Sequence, residues 1–290
     1  MTTVAPLDLP ARLTAPARLT QRHPGLLPLA RRVHRARRRT TWVRDRWSGR
    51  VTFAHLRSTT PLPVRIKQHG SLLLRELGTD QMLLQHNKVT NLRLAVGRMD
   101  GLLIRPGETF SFNRVVGDCT RAKGYVDGMT LSNGEPGAGV GGGICQLANL
   151  VHWMVLHAPL TVVERSEHSF DPFPDKGRVL PWGVGCSIVY NYVDLVVRND
   201  SEHTFQLVVR VGDRYLHGQL LADTPPEFSY QVEGRAEQFL RRGGKVFRRN
   251  DIWRRVIDRQ TGIQVGDDLI ASNCALVVYE PGPDVDVIDV

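Results

Sequence analysis

No apolar run in the 290 residues approaches the roughly 20 that a membrane-spanning helix needs, so a soluble or at most peripheral chain is expected. Cysteine is scarce. The four, Cys119, Cys145, Cys186 and Cys274, are irregularly spaced and include no Cys-x-x-Cys pair. That pattern supports neither a disulfide framework nor a structural zinc site. No metal or cofactor is expected, and the thiols read as free in a reducing, cytoplasmic setting. A secretory signal needs an apolar stretch of roughly 7–15 residues behind its positive charges. GLLPLA (25–30) is shorter, broken by Pro28, and precedes the main arginine cluster. No repeat of 20–50 residues is visible, which excludes solenoids and propellers.

Lysine is absent from the first 50 residues, yet these carry all the net charge. Twelve arginines against Asp8 and Asp45 give a net +10, so the other 240 residues of this +9 chain sum to −1. The basic character therefore belongs to an arm and not to the body. Residues 1–60 read as an Arg/Pro-rich, partly disordered arm with one short helix near 28–48. Its segment 31–50 has the charge to contact an acidic partner, an anionic membrane surface or nucleic acid.

The body reads as α+β, with helices in the first half and antiparallel strands in the second. In 80–101, Val89, Leu92, Ala95, Val96 and Met99 fall at helical spacing, and Gly101 marks a stop. Phe110 and Phe112 alternate with polar residues as in a half-buried strand. Residues 120–143 read as one long glycine-rich functional loop. From Cys145 the positions Leu147, Leu150, Val151, Met154 and Val155 trace a helix face, ended by Pro159; TVVER (161–165) is a strand. SIVYNYVDLVVRN (187–199) is strand-like, and 204–220 reads as a hairpin. Residues 228–280 suggest further hairpins before a polar tail, PGPDVDVIDV. A body over 61–222 with a β-hairpin extension over 223–290 packed on it is the expected organisation.

Six glycines between Gly134 and Gly143 lead directly into Cys145. A thiolate is nucleophilic, and a helix N-terminus or nearby imidazolium lowers a thiol pKa from about 8.5. Gly141, Gly142 and Gly143 have amides to offer as an oxyanion hole. Gln146 is placed to meet a carbonyl. His168 is a candidate general base, with Asp194, Glu164 or Asn191 to orient it. Glu164 and Arg165 are further candidate ligand contacts. A buried cysteine is also commonly a small hydrophobe, so catalytic and purely binding roles both stand. A third reading comes from Gly137-Ala-Gly139-Val-Gly141-Gly142, which fits the dinucleotide fingerprint G-x-G-x-x-G. That motif requires an apolar strand running into the first glycine, and LSNGEP is not one.

The succession RPGETFSFN (105–113), GY (124–125), GVGGGICQLANLVHW (139–153), ERSEH (164–168) and YVDLVVRN (192–199) resembles the VanW family. QHNKVTNLRLAVGRMDGLLI (85–104) is similar to the segment that precedes this core in short members. The resemblance covers about residues 61–222. It implies a connection with glycopeptide-antibiotic resistance and the cell envelope, and a peptide-like or peptidoglycan-related ligand. It brings no established reaction. A cysteine-dependent amidase, peptidase or transpeptidase using Cys145 and His168 is the enzymatic alternative. Cys186 stands where the family pattern leads one to expect a small residue such as alanine, and no role is assigned to it.

Overall fold

A glycine contact and two helices decide where the chain's midpoint lies. The computed structural model describes residues 24–74, 79–132, 135–172, 174–175 and 178–290. The first 23 residues of the arm, the end of SLLLREL and Asn133–Gly134 lie outside the described residues. Helix α1 (Leu27–Trp47) fulfils the expectation of a helix near 28–48. After the short strand β1 (Thr52–Phe53) and β2 (Val64–Leu72) comes helix α2 (Thr79–Met99). Its residues Leu92, Ala95, Val96 and Met99 are buried, as the 3.6-residue spacing requires of a core-facing stripe.

Strands β3 (Leu102–Ile104) and β4 (Glu108–Ser111) follow. The alternation read at Phe110 and Phe112 breaks here. Phe112 opens the one-turn helix α3 (Phe112–Val116), because Ser111 caps that helix by accepting from the Arg114 N–H. Both phenylalanines are buried. The presumed loop over 120–143 contains a hairpin, β5 (Asp127–Ser132) with β6 (Glu135–Val140), paired from Asp127↔Val140 to Ser132↔Glu135. Helix α4 (Cys145–Val155) follows, buried from Leu147 through Val155 except at Asn149. Next come β7 (Leu160–Glu164), β8 (Phe170–Asp171) and β9 (Val196–Asn199). Only the end of 187–199 is a strand. Residues 187–195 form a loop closed by a Val189–Val193 bridge, with Asn191 at φ 52°.

The hairpin read over 204–220 is β10 (Phe205–Val211) with β11 (Tyr215–Ala222). Strands β12 (Phe228–Arg242), β13 (Lys245–Asp258) and β14 (Gln264–Val277) form an antiparallel meander. The polar tail is not free: β15 (Val287–Asp289) pairs in parallel with β12. Among the described residues the sheets run β1-β4-β9-β7, β2-β11-β10-β3 and β15-β12-β13-β14-β8, beside the β5-β6 hairpin. The architecture is α+β. The main core lies between α2, α4 and the first two sheets, joined by Phe110, Phe205, Leu207 and Leu220.

Asn91 of α2 ties the hairpin's ends to this core. Its Nδ2 donates to the Val126 carbonyl at 3.0 Å and the Gly142 carbonyl at 3.0 Å, while its Oδ1 accepts from the Val126 N–H at 2.9 Å. Gly142 needs to be glycine because a Cβ there would stand 2.1 Å from the Gly128 carbonyl oxygen. Gly142→Ala is therefore expected to cost roughly 3 kcal/mol, since backbone on both sides must give way. Gly97→Ala is expected to stabilise by about 0.5–1 kcal/mol, because this helical glycine has open space around its Cβ position. Urea titration of the two variants checks both signs.

Candidate functional site

Helix α4 begins without a side-chain cap, and Cys145 occupies its first position. The lowered thiol pKa expected there is not found. Cys145 keeps part of its surface, but its sulfur is enclosed, and burial pushes the thiol's pKa up. The S–H reaches the Ile188 carbonyl at 4.0 Å. The desolvation of a thiolate here outweighs the partial positive charge of the helix start. Cys186, fully buried, is also pushed up by burial and by the neighbouring Cys145.

The glycine amides are largely engaged within the fold. The Gly141 N–H donates to the Val126 carbonyl at 3.0 Å and that of Gly142 to the Gly139 carbonyl at 2.9 Å. The Gly143 carbonyl accepts from the Gln146 N–H at 3.1 Å. Cβ atoms at Gly141 and Gly143 would lie 2.5 Å from Cys119 Cβ and 2.0 Å from Lys88 Cγ. These glycines thus provide close packing and, at φ 77° and 88°, left-handed backbone.

His168 lies just beyond β7. Its Nδ1 is 3.0 Å from Ser187 Oγ, and burial, helped by the Arg165 guanidinium, lowers its pKa, so the ring is neutral at pH 7. Among the described residues no hydrogen bond joins it to Cys145. The two meet consecutive residues of one segment, Ser187 and Ile188. That segment is fixed by Asn149 Oδ1, which accepts from the Cys186 N–H at 2.7 Å. Asn149 stands four residues after Cys145, on the same helix face. That spacing was the available signal for Asn149; Ser187 had none.

Asp194 turns elsewhere than the imidazole. Its carboxylate accepts from Ser111 Oγ at 2.6 Å and from the N–H groups of Asn113 and Leu195, each at 2.9 Å. Glu164 accepts from the Asp194 N–H at 3.1 Å and receives two bonds from Arg38 of α1, at 2.5 and 2.6 Å. Arg38, Glu164 and Tyr192 border a cavity of about 300 Å³ under α1. Arg165 spans from the site to the meander. It donates to the carbonyls of Gly183 and Gly185 and, at 3.0 Å, to Asn273 Oδ1.

Among the described residues, two carboxamides remain unfilled. Gln146 uses its Nε2 on Ser71 Oγ at 2.9 Å and the Leu72 carbonyl at 2.8 Å, but its buried Oε1 has no hydrogen-bond partner among the described residues. Asn191 is fully buried, and neither its Oδ1 nor its Nδ2 is hydrogen-bonded among the described residues. An unpaired buried polar group costs about 1–3 kcal/mol.

The comparisons with known proteins give this geometry a family. A family model described as "VanW like protein" matches residues 87–221. The chain is 34% identical over 270 residues to "Vancomycin B-type resistance protein VanW" of Enterococcus faecalis, covering 93% of this chain and 97% of that protein. The chain belongs to the VanW family. The family resemblance reaches well beyond residues 61–222, because a match over 93% of the chain must include most of the β12–β15 region and part of the arm. "Uncharacterized protein YoaR" of Bacillus subtilis is 41% identical over 96 residues, 32% of each chain. No solved structure matches. No described helix is long and apolar enough to cross a membrane.

Asp194 makes the site's environment measurable. Burial, aided by nearby Glu164, pushes its carboxyl up to about 6, while Ser111, Asn113 and Arg38 oppose the shift. A folded pKa above the unfolded value means that the native state binds the proton more tightly. The associated stability is fully present below about pH 4 and lost as pH rises through about 6. Its size is about 2–3 kcal/mol, from two pKa units at 1.36 kcal/mol each. Denaturant titration from pH 4 to 7 should show this component in the parent chain, and Asp194→Asn should remove it.

Proposed function

We propose that this VanW-family chain binds a peptide-like, peptidoglycan-related ligand beside the glycine-rich turn without turning it over. The proposed site combines that turn with Cys145, Gln146, Asn191 and His168. The observation that carries this reading is the pair of buried carboxamides with unused hydrogen-bonding capacity. Gln146 adjoins Cys145 in α4, and Asn191 sits in the loop whose Ile188 carbonyl meets the Cys145 sulfur. A peptide offers the N–H and C=O groups that such amides complement. The left-handed backbone of Asn191 is the kind of local strain that collects at ligand sites. The raised thiol pKa and the internal use of the Gly141 and Gly142 amides favour binding over attack. The name of the Enterococcus relative supports a role connected with vancomycin resistance.

Acyl transfer is the second reading. Its support is a cysteine at a helix start, with a neutral histidine one residue removed along a shared segment. In that chemistry Cys145 Sγ attacks the carbonyl, His168 takes the thiol proton and delivers it to the leaving amine, and water releases the acyl group.

Titration calorimetry with a soluble muropeptide separates the two. Binding is expected for the parent chain, with losses of about tenfold or more in Asn191→Ala and Gln146→Ala and little change in Cys145→Ala. Mass spectrometry should recover the muropeptide intact, and iodoacetamide should label Cys145 no faster than a model thiol. Rapid labelling together with a cleaved muropeptide selects acyl transfer; absence of binding removes the first reading.

A further inference from the structure

Helix α1 has two chemically different sides. The inner side is fastened to the body. Arg35 Nε donates to the Tyr190 carbonyl at 3.2 Å, and Arg38 grips Glu164. The guanidinium of Arg114 stacks over Trp42 at 5.0 Å and over Phe53 at 4.0 Å. The only acid of the helix, Asp45, has a side chain just 18% exposed. These residues recur every three or four positions and occupy one face.

The outer side carries a second stripe at the same spacing. Leu29, Val33, Ala36, Thr40, Val43 and Trp47 follow intervals of four, three, four, three and four. All are exposed, Val43 at 66% and Trp47 at 91%. An apolar concavity of about 510 Å³ lies among Arg39, Thr40, Val43, Arg44 and Trp47. At 100° per residue, exposed Arg32 and Arg39 flank this stripe on one side and exposed Arg37 and Arg44 on the other.

We infer that the outer face of α1 is a docking surface for an anionic lipid bilayer, on which the helix lies in the plane of the interface. The arrangement has the parts such a helix needs: an apolar strip to sink below the headgroups and a cationic border on both sides. Arginine stems cover apolar surface while their guanidinium groups reach phosphate, and tryptophan favours the interfacial layer. Each border cation gains from a negative leaflet. A second copy of the chain fits less well. Paired stripes would bring arginines against arginines, and no acid on the outer face compensates them. Nucleic acid would use the arginines but leave the strip of leucine, valine and tryptophan without a partner. The inner contacts keep the body attached while the outer face binds, so Glu164 and the 188–194 loop would lie close to the lipid.

Cosedimentation of the full chain with vesicles tests this inference independently of any ligand at the Cys145 site. The chain should associate with phosphatidylcholine–phosphatidylglycerol vesicles and not with phosphatidylcholine alone. Association should fall at least about tenfold as salt is raised from roughly 0.05 to 0.5 M. Leu29→Ser/Val43→Ser/Trp47→Ser should weaken it by about tenfold or more. Arg32→Gln/Arg37→Gln/Arg39→Gln/Arg44→Gln, which keeps the stripe, should abolish the preference for phosphatidylglycerol. Circular dichroism checks that each variant retains its helix content. No association with anionic vesicles, or association unchanged in both variants, overturns the inference. So does a stripe-dependent dimer, or duplex DNA binding, in a chain that ignores vesicles.

Discussion

The side-chain amide of Asn91 governs where the middle of the chain can go. It satisfies the Val126 and Gly142 carbonyls and the Val126 N–H, groups at the two ends of the β5–β6 hairpin. A polar residue at the apolar surface of a helix is tolerated when every bond it can make is made. Here those bonds do more than avoid a penalty. They hold Gly142 against Gly128, which sets the direction in which the chain leaves the hairpin and enters α4. Cys145, Gln146 and Asn149 are positioned by that exit. Gly128 and Gly142 accordingly act first as spacers of zero width, because a methyl group on either would occupy the volume of the other's carbonyl.

A second polar centre organises the opposite side of the site. Asp194 is fully buried, yet its carboxylate collects Ser111, Asn113 and Leu195, and its own N–H is held by Glu164. Glu164 in turn is held by Arg38. The arrangement joins the cap of α3, the end of β7 and the basic helix α1 through a short run of charge-assisted bonds. The basic helix is thereby anchored through specific partners, while Arg32, Arg37, Arg39 and Arg44 stay exposed.

Much of the helical frame was legible in the residues. The stripe from Val89 to Met99 and that from Leu147 to Val155 both lie where their spacing places them, because 3.6-residue periodicity survives any tertiary context. The 204–220 hairpin followed equally from alternation and a turn. Other features depended on partners distant in sequence. Ser111 ends strand β4 by capping a helix, so the alternation at Phe110 and Phe112 misled. The 187–195 segment is strongly β-prone in composition but, among the described residues, pairs only with itself through the Val189–Val193 bridge, whereas the acidic tail finds a strand in β12. The local neighbourhood of Cys145 suggested an activated thiol. The enclosure that opposes activation comes in part from the 183–188 segment, forty residues away, and composition carries no sign of it. The same holds for Asp194, whose carboxylate partners Ser111 and Asn113 lie more than 80 positions earlier. The unfilled amides of Gln146 and Asn191 depend on what every neighbouring group bonds to, which no local pattern of residues records.

Arg165 leaves one consequence for the chain as a mechanical object. Its guanidinium joins the carbonyls of Gly183 and Gly185, beside His168, to Asn273 in the β14 strand. Asn273 is bonded in turn to Asn250, and Asn250 to the Trp182 carbonyl. The meander and the segment under the imidazole are therefore parts of one lattice of buried bonds. Free energy that restrains one is shared with the other, and the sharing is reciprocal. The β12–β14 region is then less an appended shield than a load path, through which the stiffness of a three-strand ribbon is lent to the floor of the site.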